Sequence, residues 1–345
     1  FADGSKDWLF DGFLFLEFKD GSGRNYTVGY EKLNARRTEW EWLLDRIFEQ
    51  GKSLSALDRC IGQEIKELGK PAFRHQIVLG LPEAIRGQKD WGEIDGREMD
   101  FSKEEDQIAA TKWYIGELVE RFKAAKYKHL ELSGFYWVAE DTHHCAELTI
   151  PLSEYIHSEG KLFYWIPYWQ AKGHEEWKRL GFDVAYQQPN HFFNHSIPDS
   201  RLDEACATAR RHGMAMEFEF DEKATAAIPN SSHDRMAAYI NHFEKNDVFN
   251  SSAVAYYCGN RGVLTLDESD NPKDKALMDR LARIIQARRY LKYGIPMKNK
   301  TRVVAHRGFW HTDGSAQNSI ASLLKADQLG VYGVEFDVWM ASDGV

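Results

Sequence analysis

The chain of 345 residues has few of the features that mark specialised protein classes. Basic residues are outnumbered, 44 Lys and Arg against 53 Asp and Glu, and the net charge of −9 argues against nucleic acid or an anionic membrane as a partner. No apolar run is long enough to span a bilayer, and no short-period repeat or low-complexity segment is present. The 43% of hydrophobic residues is ample for a large core.

Cysteine is also scarce, and its spacing is uninformative about metal or redox chemistry. Cys60, Cys145, Cys206 and Cys258 lie far apart, with no CxxC or CxxH pair. This pattern predicts neither a zinc site nor a disulfide framework, and it leaves the compartment open. The chain starts at Phe1 without an initiator Met or a signal peptide, so we expect the natural N-terminus to lie upstream.

Strand-like and helical segments alternate through the first 295 residues. Helical patterns occupy 40–48, 53–68 and 274–293, and another helix is opened by Ser102 and Glu105 in the pattern of a capping box. The alternation predicts a parallel α/β sheet. The segments with the apolar pattern of strands are 11–18, 76–81, 129–137, 162–168, 183–188, 214–220 and 252–258.

Two parallel architectures are compatible with these strands. An open doubly wound sheet is one, but no Gly-rich phosphate loop follows any early strand. A (β/α)₈ TIM barrel of about 250 residues fits better, with its first strand upstream of Phe1. The sequence therefore predicts a barrel domain over 1–295, a linker at 296–300 and the start of a second domain at 301–345.

The first domain is similar to a known but uncharacterised family of bacterial barrels. The similarity is carried by the stretches 8–18, 132–141, 163–173, 187–193 and 216–222. This family resembles glycoside hydrolases in build and occurs in secreted proteins of gut-type bacteria. The resemblance implies the barrel fold and a secreted, periplasmic or cell-surface location. It implies no activity, because the family has none that is settled.

The segment 214–220 is the most distinctive strand. Glu217, Glu219 and Asp221 alternate with methionine and phenylalanine, so the acids share one face. Both faces of a barrel strand are covered, and these acids must therefore meet a partner, a ligand or trapped water. A functional site and a structural salt-bridge network both remain open.

A second acid follows the strand at 129–137. With one strand upstream of Phe1, Glu140 would follow the fourth strand and Glu219 would lie on the seventh. Many retaining glycosidases take their acid/base and their nucleophile from these two positions. We therefore predict Glu140 and Glu219 as a catalytic carboxylate pair that needs no cofactor. An ordinary exposed loop acid is the alternative interpretation of Glu140.

Further polar and aromatic residues stand at the same strand ends. Aromatic faces stack on sugar rings and amides bond the hydroxyls, although packing of the barrel is the alternative role for many aromatics. The candidate substrate-binding residues are Glu17, Glu83, Trp137, Trp165, Tyr168, Gln187, Asn190, Glu217 and Tyr256.

Residues 301–345 contain four motifs in order. A short apolar strand ends in His306-Arg307-Gly308, and a helix starts after Asn318-Ser319 with Ile320, Leu323 and Leu324 on one face and Gly330 as its stop. A second strand, 331–338, places Glu335 and Asp337 on one side, and Asp343-Gly344 forms a turn. This arrangement resembles the opening βαβ unit of a glycerophosphodiester phosphodiesterase.

The resemblance implies roles for the motif residues. His306 would be one of two catalytic histidines, Arg307 would bind phosphate, and Glu335 and Asp337 would bind a divalent cation, Ca²⁺ or Mg²⁺. These side chains suit that chemistry. The alternative for the two acids is an exposed strand face.

Two departures from the family pattern bear on activity. Gln317 stands where the family has an acid. The second catalytic histidine would lie beyond Val345, so we expect no phosphodiesterase activity from this chain alone.

Together these patterns predict a hydrolase acting outside the cytoplasm on glycerophosphodiesters and on a glycan or glycoside. The oligomeric state is left open. For the first barrel, the alternative to glycoside hydrolysis is a non-catalytic carbohydrate-binding module that serves the phosphodiesterase. Close approach of Glu140 to Glu219 would favour the enzyme, whereas acids tied to Arg or Lys would favour the binding module.

Overall fold

The computed structural model of the chain describes residue 1 and residues 3–295 and 303–338. The contacts divide the chain into two compact units, Phe1–Tyr293 and Gly294–Val345, and each is considered by itself. The predicted linker at 296–300 and the predicted turn at Asp343-Gly344 lie outside the described residues.

The first unit is built on a parallel sheet of seven strands that stand side by side in chain order. The predicted parallel α/β sheet is thereby confirmed, and each predicted segment overlaps one strand. The strands are β1 (Gly12–Phe15), β2 (His75–Leu81), β3 (Leu130–Trp137), β4 (Leu162–Trp165), β5 (Val184–Gln187), β6 (Ala215–Glu219) and β7 (Val254–Tyr257).

The sheet curls so that residues from distant strands meet inside it. Leu16, directly after β1, packs in the same cluster as Tyr136 of β3, Tyr186 of β5 and Ala255 of β7. Within the described residues, β7 is not hydrogen-bonded to β1. The structure therefore shows a curled sheet of seven parallel strands, and an eighth strand that would complete the predicted barrel is not among the described residues.

Helices cover the outer face of the sheet and enclose the main core. Trp40 and Leu44 of the first helix, for example, pack in one cluster with Leu79 and Phe163 of the strands. No helix of the described residues is long and apolar enough to cross a membrane. The helices are α1 (Arg37–Phe48), α2 (Ser53–Leu68), α3 (Glu104–Ala125), α4 (Ala146–Ser158), α5 (Ser200–His212), α6 (His233–Lys245), α7 (Val248–Ser251), α8 (Gly262–Asp267) and α9 (Pro272–Tyr293).

The boundaries of α2 and α3 can be compared with the predictions. α2 has the predicted bounds, since Gly69 takes a positive φ of 81° directly after it. The predicted capping box of α3 is wrong. The Ser102 hydroxyl donates to Asp100 at 2.6 Å, and the helix begins one residue after Lys103 without a side-chain cap.

The second unit contains a βαβ arrangement. β8 (Val304–His306) pairs in parallel with β9 (Gly333–Glu335), and α10 (Ile320–Gln328) lies between them in sequence. Ile320, Leu323 and Leu324 share one face of α10 but are exposed, whereas Ser322 and Ala326 are buried. Ser322 is buried because it packs on Gly308, where an added Cβ would lie 2.3 Å from the Ser322 hydroxyl.

Gly134 in β3 is required by the close approach of β4. A Cβ added there would lie 2.0 Å from the Leu162 carbonyl oxygen, which is backbone and cannot move without disturbing the sheet. We expect Gly134→Ala to destabilise the first unit by roughly 2 kcal/mol or more in urea unfolding. Gly116→Ala in α3 is the control. Its Cβ would make only an ordinary contact at 3.6 Å, so stability should be kept or rise. Equal losses in both variants would contradict this account.

The second unit should be less protected than the first, because one helix and two short strands bury too little apolar surface to offset chain entropy. Hydrogen exchange should therefore be faster at Val334 and Glu335 than at the central residues of β3. Protection of 334–338 at the level of global unfolding would contradict this expectation.

Candidate active site

Three carboxyl groups of the first unit lie near the carboxyl ends of the parallel strands. Glu140 follows β3, while Glu217 and Glu219 belong to β6. Phe218 packs into the core beneath the helices, so strand alternation leaves Glu217 and Glu219 on the opposite side. These two residues are only 7% and 3% exposed. We call Glu140, Glu217 and Glu219 the acid cluster.

The members of the acid cluster influence one another's protonation. Burial, then the charges of Glu219 and Glu140, hold the pKa of Glu217 well above its usual range. Burial raises the pKa of Glu219 to about 7, and the Glu140 charge adds to this. Burial also raises the pKa of Glu140. Protons are therefore retained in the acid cluster at neutral pH.

Amide groups orient Glu140. The Gln188 side-chain amide donates to the Glu140 carboxylate at 3.0 Å and to the Ile166 carbonyl at 3.2 Å. The Asn190 amide in turn donates to the Gln188 side-chain oxygen at 2.7 Å. Asn190 also accepts from the Trp169 backbone N–H at 2.5 Å. Asn190 thus lies near the acid cluster with its amide engaged inside the protein.

Glu219 is held by a tyrosine and by backbone N–H groups. The Tyr239 hydroxyl of α6 donates to the Glu219 carboxylate at 2.5 Å, and the His191 backbone N–H donates to it at 3.3 Å. The buried His191 ring pairs with Asp199 at 2.8 Å, and burial lowers its pKa to about 4. His191 is therefore neutral at pH 7 and supplies its backbone rather than a charge.

Exposed aromatic rings border the acid cluster. Tyr30 is 45% exposed and stacks on Phe18 with a centroid separation of 4.6 Å. Tyr257 is 48% exposed and meets Phe193 edge-on at 5.7 Å. Burial, then Glu140, raises the pKa of Tyr30, which places this ring beside the acids. The Tyr168 hydroxyl donates to Asp141 at 3.0 Å, next to Glu140. The aromatic rim, as we call it, is Tyr30, Tyr168, Phe193 and Tyr257.

Residues 1–283 match a family model described as Domain of unknown function (DUF4855). The chain belongs to this family. No curated protein matches it. A structure described as a putative alpha-L-fucosidase from Bacteroides thetaiotaomicron gives a TM-score of 0.42 at 12% identity, over 80% of this chain and 93% of that one.

A second similar structure is the carboxyl transferase domain of Rhizobium etli pyruvate carboxylase. Its TM-score is 0.35 at 12% identity, over 75% of this chain and 41% of that one. The likeness to both structures is too weak to carry an argument about activity. Neither the family nor these structures identify a glycerophosphodiester phosphodiesterase.

Within the DUF4855 domain, four predicted substrate-binding residues lie in the core instead. Trp165 is fully buried and its indole donates to the Ala139 carbonyl at 2.8 Å. Trp137 packs edge-on against Phe163. The reason is strand alternation. Tyr136, Tyr186 and Ala255 lie on the enclosed face of the curled sheet, so the residues next to them in each strand face the helices. The four corrected residues are Trp137, Trp165 and Gln187, which are buried, and Tyr256, which is partly buried and packs against the core.

The two remaining predicted acids have structural partners. Glu83 is buried, accepts from the Thr27 hydroxyl at 2.7 Å and from the Val28 backbone at 3.2 Å, and so anchors the loop that carries Tyr30. Glu17 is part-exposed and pairs with Arg46 of α1 at 3.3 Å. Neither contact brings these acids into the acid cluster.

Sequence reasoning missed several residues that shape the site of the DUF4855 domain. Strand alternation could have favoured Tyr257 over Tyr256, because Ala255 and Tyr257 share a face. Nothing local singles out Tyr239, which reaches Glu219 from a helix, or Tyr30, which comes from a loop. These contacts depend on the tertiary fold.

The second unit brings its motif residues together. His306 lies 3.6 Å from Glu335, and Arg307 lies 2.7 Å from Asp337. The Asn318 amide donates to Asp337 at 3.2 Å. The Arg307 guanidinium also donates to the Gln317 side-chain oxygen at 2.9 Å.

Glu335 and Asp337 are the predicted metal ligands of the second unit. In residues 303–338, as elsewhere in the described chain, no three acidic, His or Cys side chains converge on a position that could hold a metal ion. Glu335 and Asp337 alone provide the oxygen donors that a hard cation prefers, and Asp337 is already paired with Arg307.

The raised pKa values of the acid cluster predict a pH dependence of stability. A carboxyl whose folded pKa exceeds its usual 4.5 binds more protons when folded, so its contribution to stability falls as pH rises from 4.5 to about 7 at Glu219. The double variant Glu217→Gln/Glu219→Gln should lack this loss. The unfolding free energy of the variant minus that of the wild type should therefore increase as pH rises from 4.5 to about 7.

Urea unfolding at pH 4.5, 5.5, 6.5 and 7.5 measures this difference. Buried His75 and His191, whose pKa values are lowered to about 4, add an opposite slope that is common to both proteins and cancels. A difference that stays constant with pH would contradict the account.

Proposed function

We propose that the DUF4855 domain is a glycoside hydrolase that works with a carboxylate pair. One observation carries this proposal: at the carboxyl edge of the sheet Glu217 and Glu219 are buried and Glu140 is partly buried, and none of the three forms an ion pair with any residue that the structure describes. Burying acids without counter-charges costs stability, and such arrangements are typical of catalytic sites.

The contacts favour distinct roles for two of the acids. Glu219 accepts hydrogen bonds from Tyr239 and from the His191 backbone, which favour its ionised form and oppose the burial that raises its pKa to about 7. These bonds suit a nucleophile or base that is ionised above neutral pH. Glu140 has a pKa raised by burial and one amide partner, which suits a proton donor. A glycosidase needs this combination of one protonated and one ionised carboxyl.

The competing function is a binding module that presents a glycan to another domain. In such a module the acids would form ion pairs with Arg or Lys. The acid cluster has no such partner among the described residues, which favours the enzyme. The aromatic rim suits either function, because rings stack on sugars in both.

Replacement of the pair tests the proposal. Glu140→Gln and Glu219→Gln should each lower turnover of a cleaved glycoside by about 10²–10⁴-fold, because proton transfer or nucleophilic attack is lost. Hydrolysis of a panel of aryl glycosides and oligosaccharides, analysed by chromatography, measures this effect. Glu154→Gln, an exposed acid on α4, should keep full turnover as the matched control.

Two outcomes would refute Glu140 and Glu219 as a catalytic pair. One is cleavage that survives both substitutions. The other is a crystal structure in which the carboxyl groups of Glu140 and Glu219 are more than about 12 Å apart, beyond the roughly 5–9.5 Å of glycosidase pairs. A separation of about 5–5.5 Å would indicate a retaining enzyme and about 6.5–9.5 Å an inverting one.

We further propose that the second unit belongs to a metal-dependent glycerophosphodiester phosphodiesterase domain. The supporting contacts are those of His306 with Glu335 and of Asn318 with Asp337. Glu335 and Asp337 would hold the cation, Ca²⁺ or Mg²⁺, which would supply Lewis acidity at the phosphate. Such a domain, together with the barrel, suits work on glycans and glycerophosphodiesters at the cell surface, in the periplasm or outside the cell.

The phosphodiesterase proposal predicts a difference between two chain lengths. Residues 1–345 should not hydrolyse glycerophosphocholine, whereas a chain extended beyond Val345 by the rest of such a barrel should hydrolyse it. A chelator should abolish that activity, and so should Glu335→Ala or Asp337→Ala, because metal ligands are lost. Turnover by the longer chain that persists in chelator would refute the metal mechanism.

A further inference from the structure

The acid cluster contains one carboxyl more than a glycosidase pair requires. Tyr239 and the His191 backbone satisfy Glu219, and Gln188 satisfies Glu140. Glu217 is nine-tenths buried and accepts no hydrogen bond from any residue that the structure describes. An ionised carboxylate in that position would be unstable unless a ligand compensated its charge.

A second, independent group is left without a partner at the same place. Tyr136 of β3 is 2% exposed and lies on the face that the curled sheet encloses. Besides burial, its pKa is raised by the charges of Glu140 and Glu217, so its hydroxyl lies near both acids. No described residue forms a hydrogen bond with this hydroxyl, and the oxygen is not fully enclosed, so a bound molecule can reach it. The hydroxyl and Glu217 together offer a donor and acceptors to a bound molecule.

The protein provides no positive charge for this position among the described residues. Arg235 of α6 donates to the carbonyls of the 191–197 loop. His191 is neutral and pairs with Asp199. The other titratable groups near the acids include Tyr30, Tyr168, Tyr239, Tyr257 and Cys258, and none of these side chains can carry a positive charge. A cation that stabilises ionised Glu217 would therefore come from the ligand.

The spacing of the acids favours an organic cation. No three acidic, His or Cys side chains in the described ranges converge on a point where one metal ion could be ligated. A sugar ring that carries an ammonium group is large enough to contact more than one of these separated carboxyls. Its ring could stack on Tyr30 or Tyr257 in the aromatic rim, and its ammonium group could bond Glu217 and Tyr136.

We infer that the site takes an amino sugar with a free, positively charged amino group in preference to neutral, N-acetylated or anionic sugars. This inference rests on the proposed glycosidase function and specifies its substrate class. The ammonium group would offset the cost of ionising Glu217, whereas a uronic acid would add a fourth carboxyl to a site without a cation.

Calorimetric titration tests the inference with matched sugars. The probes are the methyl glycosides of glucosamine and galactosamine, each paired with its N-acetylated counterpart, and methyl glucuronide. At pH 7 at least one amino sugar should bind about tenfold or more tightly than its N-acetylated form. Binding should release protons, measured in two buffers of different ionisation enthalpy, because the ammonium group favours ionised Glu217.

Substitutions test which residues cause the preference for the amino sugar. Glu217→Gln should remove the preference for the amino sugar and the proton release, while Glu154→Gln on the exposed face of α4 should keep both. Tyr136→Phe should weaken amino-sugar binding several-fold, and it serves as the second probe should Glu217→Gln fail to fold. Equal or tighter binding of the N-acetylated sugars or of the glucuronide would overturn the inference, as would displacement of the amino sugar by millimolar Ca²⁺ or Mg²⁺.

Failure of this inference can be told apart from failure of the proposed enzyme. Hydrolysis of neutral glycosides that depends on Glu140 and Glu219, without any preference for amines, would reject the amino sugar alone. Binding of an amino sugar that depends on Glu217, without cleavage of any glycoside of it, would reject the glycosidase and keep the ligand class.

Discussion

The burial of like charges at the end of a parallel sheet is the constraint on which the site depends. Glu217 and Glu219 point away from the helix-facing core because Phe218, between them, belongs to it. A strand with this alternation forces the acids into the enclosed side of the curled sheet. Their repulsion and desolvation oppose folding, so the rest of the domain must supply the compensating stability.

That stability comes from the layer between sheet and helices. Large aromatic side chains fill it, including Trp40, Phe163 and Trp165, which are fully buried. The same layer supplies rigidity to the site. Tyr239 packs against Phe218 at 4.9 Å and also donates to Glu219, so one α6 side chain joins core packing to the orientation of a candidate catalytic acid. A position held by both packing and a hydrogen bond is suited to catalysis, where small displacements are costly.

The order and type of the main elements could be predicted from the sequence, because segments with helical periodicity separate the strands of the first unit. The shared face of Glu217 and Glu219 could also be predicted, since apolar and acidic residues alternate through 214–220. Prediction from the sequence failed at Trp137, Trp165, Gln187 and Tyr256, where a run of polar and aromatic residues at a strand end does not reveal which face each residue takes. It also failed at Tyr30 and Tyr239, because loops and helices reach the acids only through the tertiary fold.

The protonation state of the acid cluster tests the central claim most directly. Carboxyl carbon resonances of ¹³C-labelled glutamate, followed from pH 4 to 9 and assigned with Glu217→Gln and Glu219→Gln, report each titration separately. The account predicts that Glu217 remains protonated at neutral pH and that Glu219 titrates near neutrality. Titration of all the acids of the cluster near 4.5, the ordinary value for glutamate, would contradict it.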